Sequence, residues 1–138
     1  MDFLLRTWRG SPDPLRFRAV SDLYRIVRKS NSPEARGRRL LRRWLSEGQL
    51  AQFDARNFFD VIGCHTAKRY RIYYANVANV EELDKVGRPM VRYCFIPKGD
   101  LVPGDVMLAQ KIALETDELA ALAVANRFAP QPRLSDLT

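Results

Sequence analysis

The chain has 138 residues, of which 46% are hydrophobic and 28% charged, and its formal net charge is +7. A chain of this length most simply forms one domain with one hydrophobic core. Two cysteines are too few for a disulfide scaffold, and the N-terminus does not have the pattern of a signal peptide. No run approaches the roughly 18 apolar residues of a membrane span, so we expect a cytoplasmic protein.

The positive charge is concentrated in the N-terminal third. Residues 1–45 contain 12 Lys and Arg against 4 Asp and Glu, whereas residues 46–138 contain 11 against 12. Such an asymmetry favours an anionic partner, and nucleic acid before a membrane surface. We therefore expect nucleic acid as a partner and no membrane, and the sequence leaves the oligomeric state open.

Two amphipathic helices are predicted after a flexible arm of residues 1–12. The first begins at Asp13-Pro14, because aspartate suits the N-cap and proline the first helical position. Its apolar residues recur with helical spacing and mark a predicted inner stripe of Val20, Leu23, Tyr24 and Val27. Ser32-Pro33-Glu34 begins the second helix by the same rule, and a short third helix extends to about Arg56.

The second helix carries a dense group of arginines, namely Arg36, Arg38, Arg39, Arg42 and Arg43. Its predicted inner stripe contains Gly37, Leu40, Leu41, Trp44 and Leu45. Neighbouring like charges repel, so this helix needs packing or a bound anion. The arginines predict phosphate contacts whose strength falls as salt rises. The alternative is a solvated face whose charges pair with Glu81, Glu82 or Asp117.

Phe58 to Ala75 predicts a β-hairpin, because two runs rich in Val, Ile, Tyr and Phe flank a polar connection from Cys64 to Lys68. Alternation in the second run places Tyr70, Ile72 and Tyr74 on one face. The opposite face combines cationic and aromatic side chains, namely Arg69, Arg71 and Tyr73. Such a face stacks bases and holds phosphates, with Lys68 as a further donor. The alternative is an ordinary half-exposed hairpin.

The rest of the chain completes an α+β fold. An extended piece from Asn79 to Leu83 and a strand from Met90 to Ile96 give an antiparallel sheet of three or four strands. A long C-terminal helix from Pro103 to about Asn126 packs on one face of this sheet and completes a domain that begins with basic helices. Its predicted buried side includes Leu108, Ile112 and Leu119. The domain spans residues 13–128, and residues 129–138 form a flexible tail.

The favoured function is a non-enzymatic nucleic-acid-binding module that uses the five helical arginines together with Lys68, Arg69, Arg71 and Tyr73. The first alternative is a protein-interaction module or accessory subunit. It offers a sheet edge, or the arm with Phe3 and Trp8, to an acidic partner. The second alternative is a small hydrolase or nuclease. It would be built on Cys64, His65 and Cys94, or on the acidic residues Asp100, Asp105, Glu115, Asp117 and Glu118.

No metal, cofactor or catalytic residue is predicted. Cys64, His65 and Cys94 are one ligand short of a structural zinc site, and adjacent residues on a strand point to opposite faces. The acidic residues near Asp105 and Asp117 are explained by the dipole of a helix N-terminus. No phosphate-binding glycine loop is present.

A set of positions from Gly63 onward carries a family resemblance: Gly63, Tyr70-Arg71-Ile72, Cys94-Phe95, Leu108-Ala109-Gln110-Lys111 and Ala125-Asn126. In these positions the chain resembles small bacterial proteins of unassigned activity, over about residues 40–128. The resemblance implies a self-contained domain whose hairpin and last helix belong together, and it implies no substrate or cofactor. The predicted element order is also similar to that of the double-stranded-RNA-binding domain. The Lys-Lys-x-Ala-Lys start of that family's last helix is absent here, so none of its contacts are carried over.

Overall fold

The computed structural model describes residues 14–75, 78–95 and 99–130. The described residues form five helices, α1 (Pro14–Ser30), α2 (Pro33–Trp44), α3 (Glu47–Arg56), α4 (Pro103–Thr116) and α5 (Glu118–Val124). They also form five strands, β1 (Phe58–Ile62), β2 (Arg69–Tyr73), β3 (Val80–Leu83), β4 (Pro89–Cys94) and β5 (Asn126–Phe128). The predicted arm and residues 131–138 of the predicted tail lie outside the described residues.

The strands form one antiparallel sheet in the order β1-β2-β3-β4-β5. The α+β class is therefore confirmed, and the hairpin lies where it was predicted. The expectation of three or four strands is wrong, because β5 pairs with β4 and aligns Phe128 with Arg92. Strand β5 has only three residues, all of them exposed, which is too short for alternation to reveal it.

The prediction of one long C-terminal helix is also wrong. Helix α4 ends at Thr116, and Asp117 adopts a non-helical conformation with φ −152° and ψ 66°. The side chain of Asp117 then accepts a hydrogen bond from the backbone N–H of Ala120 and starts α5. The predicted buried side is wrong on both helices: Ile112 of α4 and Leu119 of α5 are exposed, whereas Glu118 and Ala121 are buried.

Serine caps define the starts of α2 and α3. Ser32 Oγ accepts from the N–H of Ala35, and proline follows at the first helical position. Ser46 and Gln49 form a reciprocal capping box, in which each side chain accepts from the other residue's backbone N–H. The two caps determine where the arginine-bearing helix begins and where the next helix turns back toward the sheet.

The core lies between one face of the sheet and the helices α2, α3, α4 and α5. Leu41 and Phe53 enter it from the helices, and Tyr70 and Ile72 enter it from β2 as the alternation predicted. The other buried members are Phe59, Val61, Val80, Tyr93, Met107, Leu108, Leu114 and Ala121. The opposite face of β2 carries Arg69, Arg71 and Tyr73, and so the hairpin presents the predicted cationic and aromatic side chains away from the core.

Two glycines bring α2 and α4 into close contact. A Cβ atom added at Gly104 would meet the backbone of Gly37, which is the close approach that glycine permits. This crossing leaves only Gly37 and Leu41 of the predicted α2 stripe fully buried, while Leu40 and Trp44 are exposed. The inner face of α2 is therefore narrower than its apolar pattern predicted.

A buried amide pair ties α4 to the sheet. Asn79 Nδ2 donates to Gln110 Oε1, and Gln110 Nε2 donates to Asn79 Oδ1, both at 2.8 Å. Gln110 also donates to the carbonyl of Phe95, and Asn79 to the carbonyl of Tyr73. Since both amides satisfy their donors, the pair places α4 against β2 and β3 without leaving a buried polar group unpaired.

Candidate nucleic-acid interface

The outward face of α2 carries three of the predicted arginines. Arg36, Arg39 and Arg43 are spaced by three and four positions, so they share one side of the helix, opposite the buried Leu41. All three side chains are exposed. We call these three residues the α2 arginine face. In the described part of the chain, no carboxylate lies within ion-pair distance of Arg36 or Arg43.

The other two arginines of α2 are engaged within the protein. Arg42 forms an ion pair with Asp54 of α3. Arg38 donates to Asn57 Oδ1 at 3.0 Å, and its guanidinium group lies 4.7 Å from the ring centre of Phe53 and 4.9 Å from that of Tyr74. These are cation–π distances. Arg38 and Arg42 therefore attach α2 to its neighbours rather than facing solvent as a pair.

Arg71 on the hairpin is bound by a carboxylate. Its Nε and Nη2 atoms donate to the two oxygens of Asp60 at 2.8 and 3.1 Å, a bidentate pair between β1 and β2. The guanidinium group also lies 4.2 Å from the ring centre of Phe58. The hydrogen bonds with Asp60 raise the pKa of Arg71 above its usual value despite partial burial. A phosphate would therefore have to compete with Asp60 for this guanidinium group.

Two more of the predicted hairpin residues contact glutamates. Tyr73 donates its hydroxyl to Glu81 Oε1 at 3.0 Å, and partial burial together with Glu81 raises its pKa. Lys68 Nζ lies 2.9 Å from Glu82 Oε1, and this contact raises the pKa of Lys68. Arg69 is exposed, and no ion pair joins it to another described residue.

Charges of opposite sign alternate across the outer face of the sheet. Asp60, Arg71, Glu81 and Arg92 are successive cross-strand neighbours on β1, β2, β3 and β4. The guanidinium carbon of Arg92 lies 5.8 Å from the ring centre of Phe128 on β5. Opposite charges placed side by side on a sheet attract one another. This row therefore differs from the cationic and aromatic hairpin face that the sequence predicts, because carboxylates lie between its cations.

Glu118 occupies a buried position that sequence reasoning missed. Its side chain is completely buried, and its two oxygens accept from the N–H groups of His65 and Thr66, the Thr66 hydroxyl and the Tyr70 hydroxyl. Burial alone opposes ionisation, but these four donors outweigh it and lower the pKa of Glu118. The sequence indicates only a helix start or an acidic cluster at Glu118, because its donors lie about fifty positions away in the chain.

Cys64 and His65 cap the start of α5. Cys64 Sγ accepts from the N–H of Glu118 at 3.4 Å, and His65 Nδ1 accepts from the N–H of Leu119 at 3.3 Å. The sulfur and the imidazole nitrogen are 3.5 Å apart, so the two side chains do not point to opposite faces as predicted. They lie in the strand connection, where alternation does not apply. Hairpin and helix thus satisfy each other's backbone donors.

The described residues contain no assembled metal site that would support the hydrolase or nuclease hypothesis. Cys94 lies on β4 and pairs in register with Asn126. Within residues 14–75, 78–95 and 99–130, no group of three or more His, Cys, Asp or Glu side chains is arranged to hold a metal ion.

Among the helices that the structure describes, none is both long and apolar enough to cross a membrane.

Comparison with known proteins returned no match, either to a family model, to a curated protein or to a solved structure. The resemblance to small bacterial proteins therefore stays a prediction.

Proposed function

We propose that this protein is a non-enzymatic nucleic-acid-binding module that contacts phosphates through the α2 arginine face. The observation that supports it is the outward alignment of Arg36, Arg39 and Arg43 on one rigid helix. Guanidinium groups spaced along one side of a helix match a row of backbone phosphates, and such contacts depend on charge rather than on base sequence. We therefore expect weak sequence preference and strong dependence on salt.

The surrounding charge supports the same surface. Residues 14–45 contain ten Lys and Arg against two Asp and Glu. Arg18 and Arg25 of α1 are exposed. One of the two acidic residues, Glu34, accepts a hydrogen bond from the hydroxyl of Tyr74 at 2.8 Å. A local excess of this size attracts a polyanion and accelerates its association.

The hairpin takes a smaller part in this proposal than its sequence suggested. Lys68, Arg71 and Tyr73 each contact a carboxylate of the same sheet. Arg71 and Asp60 are both partly buried, so releasing Arg71 costs free energy because the Asp60 carboxylate is left unpaired. The proposal therefore assigns the phosphate contacts of the polynucleotide to the α2 arginine face and none of them to these three residues.

A pair of matched double variants tests the proposal. Arg36→Gln/Arg43→Gln removes two charges from the α2 arginine face, and Arg69→Gln/Lys85→Gln removes two exposed charges from the sheet end. Fluorescence anisotropy with a labelled 20-nucleotide RNA and its DNA equivalent measures affinity at about 50 and 200 mM salt. We expect the α2 variant to weaken binding about tenfold at the lower salt and to reduce the salt slope by about 2.

The sheet-end variant is the control and is expected to change affinity less than about threefold, since the proposal places the phosphates of the polynucleotide on the α2 arginine face and not at the sheet end. Absence of binding by the unmodified protein at low salt contradicts the proposal. Equal effects of the two double variants contradict it as well, because they would show that only net charge matters.

Exposed apolar residues on α1 favour a second candidate, a protein-interaction module. Leu15, Val20, Leu23, Tyr24 and Ile26 are each 60–76% exposed. An apolar stripe on a basic helix fits a groove lined by apolar and acidic side chains. The arm that carries Phe3 and Trp8 lies outside the described residues.

Leu23→Ser/Ile26→Ser tests the second candidate. If the candidate holds, a defined acidic protein co-purifies with the unmodified chain after nuclease treatment, and this variant loses it. Retention of that partner by the variant contradicts the candidate. The RNA-binding assay on the same variant separates the two functions, since the substitution leaves the α2 arginine face unchanged.

A further inference from the structure

A groove lies at one end of the sheet, between the β1–β2 connection and the turn that joins β3 to β4. Its volume is about 520 Å³, which is within the range of small-molecule sites. Ile62, Lys68 and Arg69 line one side, and Glu82, Lys85 and Met90 line the other. The groove is separate from the α2 arginine face, because none of its lining residues belongs to a helix.

The acidic groups of the groove already have partners within the protein. Glu82 is buried, and Lys68 Nζ lies 2.9 Å from its Oε1 atom. That oxygen has no hydrogen bond of good geometry among the described residues, so its charge is balanced by the nearby ammonium group. The Asp84 carboxylate accepts from the N–H groups of Val86 and Arg88 and from the Arg88 side chain. Each carboxylate therefore already lies beside a cation of the protein, Lys68 for Glu82 and Arg88 for Asp84.

The cationic groups of the groove have fewer partners than its acidic groups. In the described part of the chain, no ion pair joins Arg69 or Lys85 to a carboxylate, and both residues are exposed. The ammonium group of Lys68 has three donors, and Glu82 is the only carboxylate within ion-pair distance of it among the described residues. The groove therefore carries an excess of positive charge with unused hydrogen-bond donors, which selects for an anion.

Apolar side chains form the remaining wall. Ile62, paired with Arg69 on β2, is 51% exposed, and Met90, at the register shift between β3 and β4, is 54% exposed. The adjacent Leu83 is buried in the floor. Covering exposed apolar surface is favourable, and methionine adapts its shape to different occupants. A ligand with both an anionic head and an apolar body matches this lining better than a simple ion.

We propose that the groove binds a small amphipathic organic anion, meaning a carboxylate or phosphate monoester attached to an apolar chain. The anionic head lies between Lys68, Arg69 and Lys85, and the apolar body lies against Ile62 and Met90. This site is independent of nucleic-acid binding. It gives the domain a second ligand whose chemistry differs from that of a polynucleotide.

Amide shifts of the ¹⁵N-labelled full chain test the site, with sodium octanoate as the probe. Acetate has the same head without the chain, and 1-octanol has the same chain without the charge. We expect octanoate to produce saturable shifts at Thr66, Ala67, Arg69 and Lys85 with a Kd of about 1 mM or lower. Acetate and 1-octanol are each expected to bind at least about tenfold more weakly.

Arg69→Gln/Lys85→Gln is expected to weaken octanoate binding about tenfold, whereas Arg36→Gln/Arg43→Gln, with the same change in charge, leaves the Kd unchanged. Four results overturn the proposal: no saturable shifts, shifts outside the groove only, equal binding of octanoate and 1-octanol, or equal weakening by both double variants. Arg69→Gln/Lys85→Gln is the control in the RNA test and the site variant in the octanoate test, and Arg36→Gln/Arg43→Gln has the opposite roles. Failure of one proposal is therefore distinguished from failure of the other.

Discussion

The Tyr70 hydroxyl donates to Glu118 Oε2 at 2.5 Å inside the core, although the two residues are 48 positions apart in the chain. The same carboxylate holds the strand connection through the backbone of His65 and Thr66. In return, Cys64 and His65 cap the first turn of α5. A buried carboxylate without donors is strongly unfavourable. The hairpin and α5 therefore stabilise each other, and neither is complete alone.

Replacement of Glu118 tests this contact through its pH dependence. Burial raises the pKa of Glu118, but the donors from Thr66, Tyr70 and His65 outweigh burial and lower it below its ordinary value of 4.5. A carboxyl group with a lower pKa in the folded state stabilises the fold above its unfolded pKa. That stabilisation disappears as the pH falls through the folded pKa.

At pH 7 we expect Glu118→Gln to lower the free energy of unfolding by about 2–4 kcal/mol. The difference from the unmodified protein should shrink progressively below a pH of about 4.5. Urea denaturation followed by far-ultraviolet circular dichroism measures both quantities. Glu47→Gln, at an exposed helix position, is the control and should change little. A difference that stays constant from neutral to acidic pH contradicts the assignment.

A methyl group at Gly63 is expected to disrupt the same contact. A Cβ atom at this buried glycine would overlap the Glu118 carboxylate, whereas one at Gly48 in α3 would meet nothing within 4 Å. Gly63→Ala should lower the free energy of unfolding by more than about 2 kcal/mol. Gly48→Ala should raise it by about 0.5–1 kcal/mol, because alanine favours a helix. Thermal denaturation of both variants checks the sign, and equal effects would contradict the geometry.

The strand connection also contains a residue in a strained conformation. Ala67 has a φ of 59°, which lies in the left-handed region. This conformation costs a non-glycine residue about 1–2 kcal/mol in the folded state. Glycine avoids that cost, but its greater freedom in the unfolded chain lowers the free energy of unfolding by about 0.4–1 kcal/mol. Ala67→Gly should therefore raise the free energy of unfolding by up to about 1 kcal/mol.

Ala51→Gly is the comparison for this change, since Ala51 is an exposed residue within α3. It should lower the free energy of unfolding by about 1 kcal/mol. Opposite signs for the two alanine-to-glycine changes support the conformation of the connection, and a loss of stability in both speaks against it. Chemical denaturation resolves differences of this size.

Two leucines with similar sequence patterns are expected to behave differently. Leu41 of α2 is completely buried, whereas Leu23 of α1 is 62% exposed. Leu41→Ala should lower the free energy of unfolding by about 2–5 kcal/mol, because it leaves a cavity in the core. Leu23→Ala should change it by less than about 0.5 kcal/mol. Similar losses in both variants would show that the α1 stripe is covered in solution.

Local patterns predicted the elements whose signals are contained within a few residues. Alternation in β2 and the polar connection before it located the hairpin, and Ser32-Pro33 located the start of α2. Strand β5 escaped because it is three residues long. The break between α4 and α5 occurs at Asp117, whose side chain caps the N–H of Ala120 only once the chain has turned there. Apolar periodicity also overestimated the inner face of α2, since the close contact of Gly37 and Gly104 decides which residues point inward.

A count of charged residues in the candidate site does not show which of them are paired with a carboxylate in the fold. Nine residues were predicted to bind nucleic acid, and the sequence alone does not reveal their partners. Asp60 faces Arg71 only when β1 and β2 adopt their actual register, and Asp54 reaches Arg42 only when α3 folds back on α2. Exposure on α2 was easier to predict, because Arg36, Arg39 and Arg43 follow the helical spacing directly.

The separation of 52 and 53 positions between Glu118 and its backbone donors at Thr66 and His65 has a consequence for synthesis of the chain. The ribosome makes the strand connection well before it makes its acceptor, by about 3–10 s at about 5–20 residues per second. During that interval no carboxylate accepts the hydrogen bonds of the strand connection in the nascent hairpin. A pause or premature termination in the stretch after α4 would leave the emerging sheet open at that end, where chaperones and proteases have access.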